Sequence, residues 1–167
     1  PRDDERFVGM VGARIPSAYG SGMAKKISME LSKAGFSIVS GMAMGIDGIS
    51  HEGALETGGR TYAFLGSGPD VIYPKKNAAL YGKIINSGAV ISEYPPGNAP
   101  LKVNFPARNR LIAGLSEALA VIEAKKRSGS LITADFALEQ GKNIGAVPGR
   151  PCDPLSTGCK IGRASCR

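Results

Sequence analysis

Residues 37–47 read Ser-Ile-Val-Ser-Gly-Met-Ala-Met-Gly-Ile-Asp (SIVSGMAMGID). A short β-rich run closes at Ser40, a turn carrying Gly41 and Gly45 follows, and a helix-compatible stretch opens at Ile46. The run before the turn has no polar alternation strong enough for a sheet with one wet face. A strand of this kind, followed at once by a helix, belongs to a parallel sheet covered on both sides.

The same alternation extends in both directions. β-rich runs recur at Phe7–Gly12, Ser37–Ser40, Thr61–Leu65, Ala89–Glu93, Ala118–Ala124 and Asn143–Val147. Helix-compatible stretches separate several of them, at Ser21–Ala34, Ile46–Glu56, Asn77–Asn86 and Leu131–Gln140. In the first, Met23, Ile27, Leu31 and Ala34 share a face and Gly35 stands where a C-terminal cap belongs; Leu131, Ala134, Leu138 and Gly141 repeat that logic in the last. Six strands with right-handed crossovers predict an α/β, extended Rossmann-like fold: a doubly wound, mostly parallel sheet with helices on both faces.

Bulk composition sets limits. The 167 residues suit one domain, expected over 1–159, and 43% hydrophobic content is too high for a disordered chain. Residues 160–167 (KIGRASCR) carry no periodic pattern and are expected to be a disordered tail. With no bilayer-length apolar run and no basic-then-apolar leader, the chain is read as soluble and cytoplasmic, with no membrane partner. Lys and Arg total 21 against 14 acidic residues, a formal charge of +7 that favours acidic or phosphate-rich partners. Cys152, Cys159 and Cys166 are odd in number and evenly spaced, a pattern of neither a disulfide framework nor a zinc site; no metal is expected.

Ligands of an open parallel sheet sit outside the carboxyl ends of its strands, so the residues at those ends carry the chemistry. They are Gly12-Ala13-Arg14 with Ser17 and Gly20, then Ser40 to Asp47, Gly66-Ser67-Gly68, and Ser92-Glu93. Glycine turns before helices let backbone N–H groups approach an anion, although each also serves as a plain tight turn. The densest segment is Lys102-Val103-Asn104-Phe105-Pro106-Ala107-Arg108-Asn109-Arg110. Guanidinium forks suit phosphate oxygens and a phenyl ring stacks under an unpaired base. Phe105 taken singly is read as a core residue. The cluster of Lys102, Phe105, Arg108, Asn109 and Arg110 is read as a nucleic-acid or nucleotide surface.

Several motifs are missing. There is no Gly-x-x-x-x-Gly-Lys-Ser/Thr loop, and the first turn, Gly12-Ala13-Arg14-Ile15-Pro16-Ser17, is not Gly-x-Gly-x-x-Gly. No acidic residue ends the second strand to hold a ribose, so a nicotinamide cofactor is disfavoured and no cofactor is expected. The single histidine, His51, is read as a packing residue and not as a catalytic one.

VGARIPSAYG (11–20), SGMAMGIDGISHEGAL (40–55), GSGPDVIYPKKN (66–77), ISEYPPG (91–97), FPARNRLIAGLS (105–116), SGSLITADFALEQGK (128–142) and VPG (147–149) occur in an order that resembles the DNA-processing protein A (DprA/Smf) family. That resemblance implies a non-catalytic, Rossmann-like binder of single-stranded DNA that protects incoming DNA during natural transformation. It also implies help in loading the RecA recombinase, and action as a homodimer. It assigns phosphate contacts to Arg14, Lys75 and Lys102, base stacking to Phe105, and backbone or hydroxyl contacts to Ser40, Gly41 and Gly45. Ala13 replaces the family's usual serine, and the chain departs from the pattern after Gly158. Many members also carry a small N-terminal helical domain and a C-terminal winged-helix-like domain, and neither fits these 167 residues. Two other readings remain: a sensor for a small nucleotide-derived ligand, and a nucleotide-processing enzyme of the lysine-decarboxylase-like (LOG) group. The catalytic glutamate of the latter has no counterpart in 124–133.

Overall fold

Six short strands rich in Val, Ile, Phe and Ala pair in parallel in this computed structural model, which describes residues 4–149 and 153–159. They are β1 (Arg6–Gly12), β2 (Phe36–Ser40), β3 (Thr61–Phe64), β4 (Ala89–Ile91), β5 (Ala118–Ile122) and β6 (Asn143–Ala146), in the order β4-β3-β2-β1-β5-β6. Residues 160–167, and with them Cys166, lie outside the described residues, as does Cys152.

The chain folds outward from β1 in both directions, so the order reverses between β1 and β5, where Val8 pairs with Ala118 and Gly12 with Ile122. Above that reversal a crevice must open, because connections leave the two strands on opposite sides. Five α-helices connect the strands: α1 (Ala18–Lys33), α2 (Ile46–Glu56), α3 (Ala78–Ser87), α4 (Asn104–Leu115) and α5 (Gly129–Glu139). Alternation along β1 separates the two cores. Phe7 and Val11 pack with Val39, Phe64, Ile112 and Leu119 on the α4–α5 side, while Met10 packs with Ala24, Ile38, Ile46 and Ile122 under α1 and α2. Among the described residues no helix is long and apolar enough to cross a membrane.

The helix α4 is the element that hydrophobic periodicity misses. Its inward positions Asn104, Arg108 and Ile112 are spaced by four, yet two of the three are polar. A search for apolar residues at helical period therefore finds no stripe, although the period is there. Pro106 is tolerated because it falls in the first turn, where N–H groups lack intrahelical acceptors. The fourth and fifth β-rich runs also end earlier than expected. Ser92 and Glu93 lie beyond β4, and Glu123 leaves β5 in a left-handed conformation with φ 53°.

His51 on α2 is fully buried. Its Nδ1 lies 2.6 Å from the Thr61 hydroxyl, which itself donates to the Ile38 carbonyl at 2.9 Å. The hydroxyl proton is thus committed, so Nδ1 carries the ring proton and donates. Burial, reinforced by the Arg108 charge, pushes the His51 pKa down to about 3. The unfolded chain protonates this ring near pH 6.5 and the folded one does not, so stability is whole above that pH and falls as pH drops toward 3. His51→Leu is expected to flatten the acid limb: between pH 7 and 5 the wild type should lose about 2 kcal/mol more than the variant. Urea midpoints that fall in parallel for the two proteins would refute this account.

Candidate nucleic-acid interface

Loops from three strand ends and the start of α4 surround one open groove of about 700 Å³ above the β1–β5 reversal. Its walls include Arg14 from the β1 loop, Lys102 just before α4 and Phe105 in its first turn, Lys125 and Ser128 from the loop after β5, and Gly129 at the start of α5. Arg14, Lys102 and Lys125 are exposed, and none is in an ion pair among the described residues. Three cations from three separated segments thus face one hollow, and their fields add there because the low-dielectric walls focus them.

Phe105 is half-buried, its ring centroid 5.5 Å from that of the exposed Tyr73 at an interplanar angle of 43°. The ring is held from beneath by the chain itself, since a Cβ at position 66 would come within 2.9 Å of it; Gly66 permits that approach. Both rings line the groove, an apolar aromatic wall beside three cations.

Of the ten residues singled out in the sequence, Arg14, Lys102, Phe105, Arg108 and Asn109 line the groove, but they do different things. Arg108 is 4% exposed: its Nη1 donates to the Gly41 carbonyl at 3.0 Å and to the Phe64 carbonyl, and its Nε to Asn109 Oδ1 at 3.2 Å. It supports the floor from below, so the expected surface contact is corrected to an interior one. Burial lowers its pKa to about 10, against the pull of the Asp47 carboxylate, which leaves the guanidinium charged at neutral pH. Asn109 ties α4 to α5 by donating to the Gly129 carbonyl at 3.2 Å. Arg110 points elsewhere and pairs with Glu93 at 2.5 Å on an exposed surface.

The contacts expected of Ser40 and Gly41 are likewise spent inside. The Ser40 hydroxyl donates to the Met10 carbonyl at 2.6 Å, and the Gly41 N–H donates to Asp47 Oδ2 at 3.2 Å. Ser40 has no exposed surface at all. Gly45, at φ 77°, caps α2 so closely against the β1 loop that a Cβ there would lie 2.3 Å from the Ala13 carbonyl oxygen. Its role is to let that loop pass. Lys75 is exposed on a 3₁₀ turn, two residues from Tyr73 and outside the groove lining.

Sequence reading overlooked the loop after β5. Lys125, Lys126 and Arg127 are exposed and lead into Ser128, the N-cap of α5, whose side chain makes no capping hydrogen bond. Thr133, 1% exposed and lining the groove, has an Oγ1 without a hydrogen-bond partner among the described residues. No acidic residue stands in the first turn of α5. The signal was available, because this loop too lies at a strand's carboxyl end. Among the described residues no three His, Cys, Asp or Glu side chains are placed to hold a metal ion, and Cys159 is a buried thiol.

The sequence profile of the DNA recombination-mediator protein A family matches residues 1–163. The chain belongs to that family. DNA processing protein DprA of Streptococcus pneumoniae is 49% identical over 152 residues, which cover 91% of this chain and 54% of that protein. The crystal structure of DNA processing protein A from the same organism superposes with a TM-score of 0.90 at 46% identity, covering 96% of this chain and 56% of that one. DNA processing protein A of Helicobacter pylori, a structure described for its single-stranded DNA binding mode, gives a TM-score of 0.89 at 32% identity, over 97% of this chain and 74% of that one. The chain spans from 38% to 54% of the length of the first curated relatives it matches.

Proposed function

We propose that the groove binds single-stranded DNA without sequence preference, as a binder and not an enzyme. The observation that carries this reading is the convergence of Arg14, Lys102 and Lys125 around the Phe105–Tyr73 ring pair. The cations neutralise backbone phosphates and the rings stack an unpaired base, and neither contact reads base identity. The open N-terminus of α5, with Lys125 beside it and the unpartnered Thr133 hydroxyl behind it, receives one of the phosphates. The membership of the family and the stated DNA-binding mode of the Helicobacter pylori relative support the same ligand. The wider activity follows the family reading: protection of incoming DNA in natural transformation, help in loading RecA, and work in the cytoplasm as a homodimer.

The test is fluorescence anisotropy of a labelled poly-dT strand and of its duplex, titrated across a salt series. The single strand is expected to bind more tightly, with log K falling linearly with log salt. Arg14→Ala, Lys102→Ala and Lys125→Ala should each weaken binding and reduce the magnitude of that slope by about 0.7. Unchanged slopes in all three folded variants would remove the groove from the path of the strand.

The volume of about 700 Å³ also suits a single nucleotide, which keeps the small-ligand reading in view. Competition separates the two. A strand that displaces dTMP far better than an equal concentration of nucleotide units supports the polymer, and equal displacement supports the small ligand.

A further inference from the structure

The turn from β1 into α1 is the place where a Rossmann-type sheet ordinarily holds the diphosphate of a dinucleotide, on the free N–H groups that open the helix. In this chain an anion already sits there, and the protein supplies it. Glu123 lies 3% exposed just past the end of β5. Its Oε2 accepts the Ser17 backbone N–H at 2.8 Å, and its Oε1 accepts the Ser17 hydroxyl proton in a short contact. The same hydroxyl accepts the Gly20 N–H at 3.0 Å, so the cap residue's own N–H and one N–H of the first turn are tied, directly or through Ser17, to one carboxylate.

Three independent features show that the space is built around that carboxylate. Glu123 holds a left-handed backbone, φ 53°, which costs a residue with a Cβ and turns the side chain across the strand reversal. Gly20 leaves the room: a Cβ there would lie 2.3 Å from the carboxylate oxygen Oε2. The first turn of α1 has no acidic residue of its own, so Glu123 supplies the favourable negative charge from 106 positions away in sequence.

We propose that Glu123 is a built-in stand-in for a nucleotide diphosphate, which closes the α1 N-terminus to free nucleotides and dinucleotides and leaves the α5 side of the groove for phosphate. The residue is thereby a determinant of ligand class. A free diphosphate entering at α1 meets a buried carboxylate, with the Ser17 and Gly20 N–H groups already bonded, whereas no side chain caps the N-terminus of α5. The clause about α5 rests on the proposed single-strand binding, whereas the closing of α1 stands or falls apart from it.

Inorganic pyrophosphate is the probe, titrated calorimetrically into the wild type, Glu123→Ala and Glu123→Gln, with thermal melts of each protein at rising pyrophosphate. Glu123→Ala vacates the space and the charge, and is expected to bind pyrophosphate about tenfold more tightly than the wild type, with a melting temperature that rises with the ligand. Glu123→Gln keeps an acceptor but no charge, and is expected to gain about threefold. If the Glu123 carboxylate served only as a helix cap for Ser17, both variants would melt lower and bind pyrophosphate no more tightly than the wild type. That result overturns the proposal. Where Glu123→Ala fails to fold, Glu123→Gln decides alone, and no gain in it is equally fatal.

Discussion

Replacing Arg108 with methionine is expected to lower the stability of the domain by about 3–5 kcal/mol, a melting-temperature drop on the order of 10 °C. The guanidinium holds together the carboxyl ends of two neighbouring strands: it donates to the Gly41 carbonyl after β2 and the Phe64 carbonyl that ends β3. It is also the charge that opposes the burial of Asp47, whose pKa is raised by desolvation and pulled back first by Arg108. Methionine leaves that carboxyl buried, facing no cation. Removing one of two opposite buried charges costs more than removing both, because the survivor keeps its desolvation penalty and loses the field that offset it. The double variant Arg108→Met with Asp47→Asn should therefore recover part of the loss, with a coupling of about 1 kcal/mol or more in a double-mutant cycle. A single variant that melts within about 2 °C of the wild type would show that the floor of the groove does not depend on this residue.

Phe105→Ala is expected to weaken single-strand binding by about 1–3 kcal/mol, roughly 5- to 150-fold, if a base stacks on the ring. The salt slope distinguishes this loss from that of the cation variants. Stacking releases no counterions, so the slope of Phe105→Ala should equal that of the wild type, while that of Arg14→Ala should be shallower. Because Phe105 also packs on Gly66 and Tyr73, a melt must accompany the titration. A folded Phe105→Ala that binds the strand normally would assign the ring to packing alone. Tyr73→Ala provides a second reading of the same platform, since Tyr73 is 46% exposed and gives up little buried contact.

The residues 108, 109 and 110 show why a dense motif in sequence does not translate into one surface. Successive residues on a helix are turned by roughly 100° from one another, so three in a row cannot share a face. Arg108 enters the interior, Asn109 reaches across to α5, and Arg110 pairs with Glu93 outside the groove. Ser40 and Gly41 make the same point for a turn. Polar groups at a strand end are as useful for satisfying buried backbone groups as for meeting a ligand, and the local sequence does not separate the two uses.

What the sequence determined by itself was whatever depends on neighbours in the chain. Short β-rich runs without strong alternation, and helix-compatible stretches closed by glycine, placed six strands and four of the five helices. The alternation of the two then required a parallel sheet with its ligand face at the carboxyl ends. The family motifs in order pointed to the same architecture, and Arg14, Lys102 and Phe105 do line one groove. Tertiary structure decided the rest. Helix α4 was hidden because its inward face is made of Asn104 and Arg108, whose burial is tolerable only where Gly66 and the ends of β2 and β3 offer carbonyl acceptors. Lys125 and Thr133 joined Arg14 only because β5 pairs with β1, and Glu123 found Ser17 for the same reason. Contacts of this kind carry no local periodicity: they exist once the sheet has closed, and the charge they bury or expose is set by that closure.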